Sequence, residues 1–234
     1  RRFADPGTGD FHAGTANAAP DYGLFSAHAG GCAVVAGVFG QLTGMGRPLP
    51  SHHIMHAPFT LHDGLIRLID DEINHVKNGK KGRIILKCNA ITERGIINKL
   101  YEASRAGVEI DLIIRSICCL RPQVKDLSEH IRVRSIVGRF LEHTRVYYFH
   151  NDGDEKLYCS SADLMDRNLL HRVEVAFPIL DEKLFKRIYE DGLINYLGDN
   201  VQAWELDGRG EWNQVQHTDD VYDAQSFLLD KICG

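Results

Sequence analysis

No stretch of the 234-residue chain approaches the roughly 18 consecutive apolar residues that a membrane-spanning helix needs, and no charged, apolar and small-residue leader opens it. The six cysteines, Cys32, Cys88, Cys118, Cys119, Cys159 and Cys233, show no C-x-x-C spacing. Most sit in apolar, strand-like runs and read as buried thiols of a reducing compartment rather than as a disulfide framework. These absences point to a cytoplasmic protein. Composition gives no sign of general disorder either, since 44% of residues are apolar and 25% charged, enough for one large core or two modest ones.

What is present is an uneven distribution of charge. Residues 79–145 hold fourteen Lys/Arg against seven Asp/Glu, a local excess of +7 in a chain whose net charge is -5. A basic zone inside an acidic protein suggests an anionic ligand. Within that zone, Arg115 follows an apolar strand-like run, and His143 precedes another. Arg presents a permanently charged planar fork to phosphate oxygens, and His, with an ordinary pKa of about 6.5, exchanges protons near neutrality. The pair suggests phosphate chemistry.

The opening R-R-F-A-D-P-G-T-G-D-F reads as a strand already under way, so the chain is read as a fragment. Residues 23–40 are rich in Gly and Ala and give a weak helix, because each interior glycine costs about 1 kcal/mol. Breakers over residues 44–50 suggest a linker and a domain boundary near residue 48. Residues 61–77 place Leu65, Leu68, Ile69, Ile73 and Val76 on one helical face, ended by Asn78-Gly79. A strand at 83–88, a helix at 92–105 capped by Gly107 and a strand at 109–114 form a βαβ unit, which implies parallel pairing. Ligands of open parallel sheets collect at the carboxyl ends of strands, where Arg115 falls. Further strands are expected at 131–137, 145–149, 156–160, 173–179 and 201–206, with helices at 182–197 and 219–232. The hairpin between 149 and 156 turns through N-D-G-D. The fold class is α/β, with a mixed, largely parallel sheet flanked by helices.

Several long motifs carry a family resemblance. They are N-A-I-T-E-R-G-I-I-N-K-L-Y-E-A-S-R-A-G-V-E-I-D-L-I-I-R-S-I-C-C-L-R-P, I-R-V-R-S-I-V-G-R-F-L-E-H-T-R-V-Y-Y-F, S-S-A-D-L-M-D-R-N and R-V-E-V-A-F-P. Together they closely resemble the carboxyl-terminal domain of the larger bacterial polyphosphate kinase family, most densely over residues 58–200. Gly7-Thr8-Gly9-Asp10-Phe11, Thr15-Ala16 and Asp21-Tyr22-Gly23-Leu24-Phe25 resemble the closing part of the preceding domain. The resemblance implies two phospholipase-D-like domains, with residues 1–47 ending the first and 48–234 forming the second.

It further implies reversible transfer of the terminal phosphate of ATP to inorganic polyphosphate through a phosphohistidine that lies upstream of Arg1, in an H-x-K motif. The 234 residues alone are then inactive. By position, Arg115 matches the arginine that holds nucleotide and chain phosphates, and His143, in H-T-R, matches the second active-site histidine. Arg132, Arg134, Arg139, Arg145, Arg167 and Asn168 are candidate polyphosphate contacts. Mg²⁺ is the implied cofactor, held largely outside this chain. The implied partners are ATP/ADP, polyphosphate, the missing amino-terminal part and further copies in a homodimer or homotetramer. Nucleic acid is not among them, and peripheral membrane association is compatible with the resemblance.

Some positions depart from the family pattern. Ala19 stands where a nucleotide-contacting tyrosine is usual, Asp10 replaces an Asn, and His62 stands in place of an Arg. No nucleotide role is carried onto Ala19. The cluster His52-His53-x-x-His56, with His62 beyond it, has imidazoles at close spacing, but no matching Cys or carboxylate accompanies it and Pro58 interrupts it. No metal ligand is assigned. The alternative function is a phospholipase-D-type phosphodiesterase or nuclease, and a third reading is a polyanion-binding module without chemistry.

Overall fold

A computed structural model describes residues 3–9, 12–16, 18–27, 29–42, 54–216 and 220–233. In chain order its helices are α1 (Ala13–Ala16), α2 (Ala29–Leu42), α3 (Leu61–Lys77), α4 (Arg94–Ala106), α5 (Glu182–Tyr189), α6 (Asn195–Gly198) and α7 (Ala224–Cys233). Its strands are β1 (Met55–Ala57), β2 (Arg83–Cys88), β3 (Glu109–Ile114), β4 (Ile131–Ile136), β5 (Arg145–Phe149), β6 (Lys156–Ser160), β7 (Glu174–Pro178), β8 (Ala203–Leu206) and β9 (Trp212–Gln214). All nine join one sheet in the order β1-β7-β6-β5-β2-β3-β4-β8-β9.

The mixed α/β sheet is the expected one, but its parallel share is small. Only β2 with β3 and β3 with β4 pair in parallel; the other six pairings are antiparallel. The βαβ unit supplies the parallel centre. Antiparallel pairing extends it on both sides, through β5 next to β2 and β8 next to β4, which lie far from them in sequence, and then through the β5–β6 and β8–β9 hairpins.

Helices cover the two faces of this sheet. Leu61, Leu65, Ile69 and Ile73 of α3 and Ile96 and Leu100 of α4 pack on Ile84, Leu86, Ile110, Leu112, Val133 and Tyr147. On the other face, Ile188, Leu193, Tyr196 and Ala224 meet Ile85, Ile113, Val146, Tyr148, Cys159 and Phe177, and Tyr22, Leu24 and Val35 join from the start of the chain. Burial on both faces explains why β2, β3 and β5 are apolar almost throughout.

Three expectations need correction, and two strands went unforeseen. Among its described residues the opening segment makes only isolated bridges, Ala4 with Ser26 and Gly7 with Gly23, because Pro6 and the neighbouring glycines interrupt a ladder. The helix expected over 182–197 is broken by a π-helical segment, Glu190–Ile194. Gly192 lies inside it, and a Cβ there would stand 3.0 Å from the Tyr22 hydroxyl, so glycine lets the amino-terminal segment approach. Cys118 is half-buried and Cys119 exposed, since both fall in the loop after β3, and Cys233 is exposed as well. Burial pushes the Cys118 thiol up to about 11 and Cys159 up to about 12. Finally, the short edge strands β1 and β9 carry no periodicity that their sequences could announce. The linker and boundary read near residue 48 lie outside the described residues.

At the start of α4, Glu93 caps the helix, its carboxylate accepting from Gly95 N at 2.8 Å and Ile96 N at 2.7 Å. Burial raises its pKa, but these N–H donors and His62, 3.2 Å away, outweigh burial and hold it below the ordinary 4.5. A depressed folded-state value means the cap stabilises fully above the unfolded pKa and is lost as pH falls through the folded one. Glu93→Ala is therefore expected to cost about 1 kcal/mol at neutral pH in urea denaturation, and the difference from wild type should shrink below pH 4.5.

Candidate functional site

The carboxyl ends of β2 and β3 and the amino end of β5 lie at one edge of the sheet, because β5 runs antiparallel to β2 with Lys87 opposite Val146. The carboxyl end of β6 joins them, with Ser160 opposite Arg145. Arg115, His143 with Arg145, and Asp163 therefore converge from three separate stretches of chain. The topology brings Arg115 and His143 to one place, as Arg115 Nη1 donates to the carbonyl of Glu142, next to His143, at 3.1 Å.

His143 Nδ1 lies 2.9 Å from Asp21 Oδ2, and Thr8 Oγ1 donates to Asp21 Oδ1 at 2.7 Å. With the Nδ1 proton donated to Asp21, Nε2 carries the ring's lone pair. The Arg145 guanidinium lies beside the ring, its Nη1 3.3 Å from Nε2. Arg145 is buried, and its donors are engaged: Nε and Nη2 each reach the Asp163 carboxylate at 3.2 Å, and Nη1 reaches the Thr8 carbonyl at 2.6 Å. Asp163 Oδ1 also accepts from Asn89 N at 2.8 Å, so one carboxylate joins the ends of β2, β5 and β6.

Electrostatics separates the two arginines. Burial pulls Arg145 down, but the hydrogen bonds and charge of Asp163 outweigh burial and raise its pKa. Arg115 is lowered, mainly by burial; the Asp163 charge opposes this and Arg145 adds to it. Its lone side-chain hydrogen bond among the described residues is the one to Glu142, which leaves Nε and Nη2 able to meet an anion. Arg115 is the half-buried cation of this edge with donors to spare.

The remaining expected contacts are dispersed. Arg132 and Arg134 lie on β4 along a different part of the sheet. Arg132 Nε pairs with Asp111 at 2.8 Å, and Arg134 meets Glu205 at 2.7 Å and the carbonyls of Tyr196 and Asp199 at 3.1 and 3.2 Å. They line a cleft of about 240 Å³ with Arg83, Asp111, Leu197 and Glu205. Arg139 is exposed in the loop leading to His143, its guanidinium 5.2 Å from the Phe140 ring. Arg167 is exposed and Asn168 buried in a π-helical turn after β6, where Asn168 Nδ2 donates to Glu174 at 2.8 Å. Asn168 Oδ1 and Asn89 Oδ1 are buried without a hydrogen-bond partner.

Sequence reading missed Asp21, Asn89 and Glu142. Asp21 stands 122 positions from His143, beyond any local spacing signal. Asp163 was not singled out either, although S-S-A-D places it three residues after a strand end. Of the histidine cluster, His52 and His53 lie outside the described residues. His56 is buried with its Nδ1 3.3 Å from Thr60 Oγ1, and His62 sits between Asp63 and Glu93. Among the described residues no group of three or more His, Cys, Asp or Glu is placed to hold a metal ion, and no helix is long and apolar enough to cross a membrane.

Comparison with known proteins agrees with this fold. Residues 54–225 match the family described as Polyphosphate kinase C-terminal domain 2. The whole chain aligns with polyphosphate kinases of Burkholderia multivorans, at 50% identity, and Paraburkholderia phytofirmans, at 48%, and spans 34% of the length of each. Among solved structures, the polyphosphate kinase of Porphyromonas gingivalis superposes with a TM-score of 0.94 at 37% identity, covering 99% of this chain and 36% of that one. From the matched span and these identities, the chain belongs to the polyphosphate kinase family, in the part that forms its C-terminal domain.

Proposed function

We propose that the chain is the phosphate-handling part of an ATP:polyphosphate phosphotransferase, which transfers the terminal phosphate of ATP reversibly to inorganic polyphosphate. The carrying observation is the strand-end cluster in which half-buried Arg115 keeps unspent donors beside His143. In this reading Arg115 neutralises charge on the equatorial oxygens of the moving phosphoryl group, where fixed donors act strongly because they need no reorganisation. His143 manages a proton or charge at the bridging oxygen through Nε2, while Asp21 holds the tautomer and orients the ring. Arg145 acts through His143 rather than on phosphate, since Asp163 and Thr8 occupy its donors.

Arg139 and Arg167, exposed at the same edge, are proposed polyphosphate contacts, with Asn168 beside them. Arg132 and Arg134 enter this reading only as a second, ion-paired patch along the chain's path. The phosphorylated histidine is proposed to lie in the two-thirds of the relatives' length that this chain does not span. Mg²⁺ belongs to the proposal as an ion that shields phosphate charge, with donors largely outside the described residues, and no step is assigned to it. A cytoplasmic setting and a homodimer or homotetramer complete the reading.

The test is synthesis from ATP by the full-length protein that carries this chain, with cleavage of a generic phosphodiester measured in parallel. Synthesis without diester cleavage is the expected result; cleavage without synthesis would transfer the site to the phosphodiesterase reading. The 234 residues alone are expected to give no turnover but to bind polyphosphate, with affinity falling steeply as salt rises because bound counterions are released.

A further inference from the structure

Glu142 holds both members of the central pair. Its backbone carbonyl accepts from Arg115, and its peptide bond leads directly into His143. Its carboxylate is 4% exposed and gripped at both oxygens, by Lys87 Nζ at 2.6 Å on Oε2 and by Gln225 Nε2 at 2.7 Å on Oε1. Lys87 is itself buried, with Nζ 3.5 Å from the Tyr196 ring centroid. Burial lowers its pKa, and the charge and hydrogen bond of Glu142 oppose that shift.

Gln225 does more than touch Glu142. Its Oε1 accepts from Phe140 N at 2.9 Å and its Nε2 donates to Phe140 O at 2.8 Å, so the amide clamps the loop before His143 as a neighbouring strand would. Gly138 makes room, because a Cβ there would lie 2.5 Å from Gln225 Oε1. The first turn of α7, which carries Gln225, is pinned by Ala224 N donating to Asp199 Oδ2 at 2.8 Å and by Asn195 Nδ2 donating to the Ala224 carbonyl at 3.1 Å.

Stability alone is a poor reason for such a device, since a buried ion pair can often be replaced by apolar side chains without loss. What it does provide is a fixed path for residues 138–143. We propose that Glu142 is a positioning residue that sets Arg115 and His143 relative to one another, and that Lys87 and Gln225, the latter from α7, hold Glu142 for that purpose. This rests on the reading of Arg115 and His143 given under Proposed function. Ground-state binding by a long arginine tolerates a shifted loop, whereas transfer geometry at His143 does not, so the effect falls on kcat more than on KM.

The experiment is steady-state synthesis by the full-length kinase carrying Gln225→Leu, with His143→Ala prepared alongside. Expected, per folded enzyme, is a kcat lower by at least about tenfold with KM for ATP within about threefold; the unfolding midpoint falls as well, because Glu142 Oε1 and the Phe140 backbone lose a partner. Lys87→Met combined with Gln225→Leu should lose little more than the worse single variant, because both act through one carboxylate. Wild-type kcat in Gln225→Leu, with His143→Ala inactive, overturns the positioning role alone. A kcat that falls only with the folded fraction, or a KM that rises as far as kcat falls, also overturns it. Near-normal activity of His143→Ala overturns the functional reading underneath. Should Gln225→Leu not fold, Glu142→Gln, which keeps the size and loses the charge facing Lys87, is expected to show the same split, and an unchanged kcat there overturns the proposal.

Discussion

If the proposed function holds, His143→Ala in the full-length protein is expected to lower polyphosphate synthesis by about 10²- to 10⁴-fold, the range in which a positioned proton-transfer group contributes. The fold should survive, because the imidazole is only partly buried and anchors no apolar core; its side chain is 23% exposed and its partners are Asp21 and Arg145. Asp21 and Thr8 would keep their own hydrogen bond, and Arg145 would keep Asp163. The measurement is initial rate of chain growth from ATP, with a urea unfolding curve on the same preparation. A rate near wild type would remove His143 from the reaction. A rate lost together with the unfolding transition would reassign it to structure.

Asp163→Ala should be costly to stability as well as to activity. Arg145 is 7% exposed and permanently charged, and Asp163 is its ionic partner. Breaking a buried pair by deleting one member typically costs about 3–5 kcal/mol, because the remaining charge cannot return to water. Asn89 N would lose its acceptor too, and with it the tie between the ends of β2 and β6. Asp163→Asn keeps an oxygen for Asn89 and is expected to lose less. The check is the midpoint of urea denaturation for both variants at constant slope. Equal midpoints for Asp163→Ala and wild type would show that the Arg145 charge finds other compensation.

Local pattern carried the central elements to the residue: β2, β3, β5 and β6 and helix α3 lie where the apolar spacing put them. These elements are buried against helices, so tertiary packing reinforces propensity instead of opposing it. Arg115 and His143 were legible for the same reason, as polar residues directly outside apolar strands. Asp21 was not, since nothing near it in sequence indicates that its carboxylate will meet an imidazole 122 positions away. Nor was the partnering of Arg132 and Arg134. Their alternation on β4 was readable, but Asp111, Glu109 and Glu205, which neutralise them, come from neighbouring strands whose register only the fold supplies. The π-helical interruption at Glu190–Ile194 escaped because the apolar spacing of 182–197 runs through it, and the contact Gly192 makes room for, with Tyr22, is long-range.

The bridge from Thr8 and Asp21 to Arg145 and His143 bears on where one module ends and the next begins. The family match starts at residue 54, yet the carboxylate that orients His143 and the carbonyl that receives Arg145 come from before it. The span of the family match and the set of side chains around His143 thus have different borders. Cut at residue 54, the chain would leave His143 Nδ1 without the Asp21 carboxylate that it meets here.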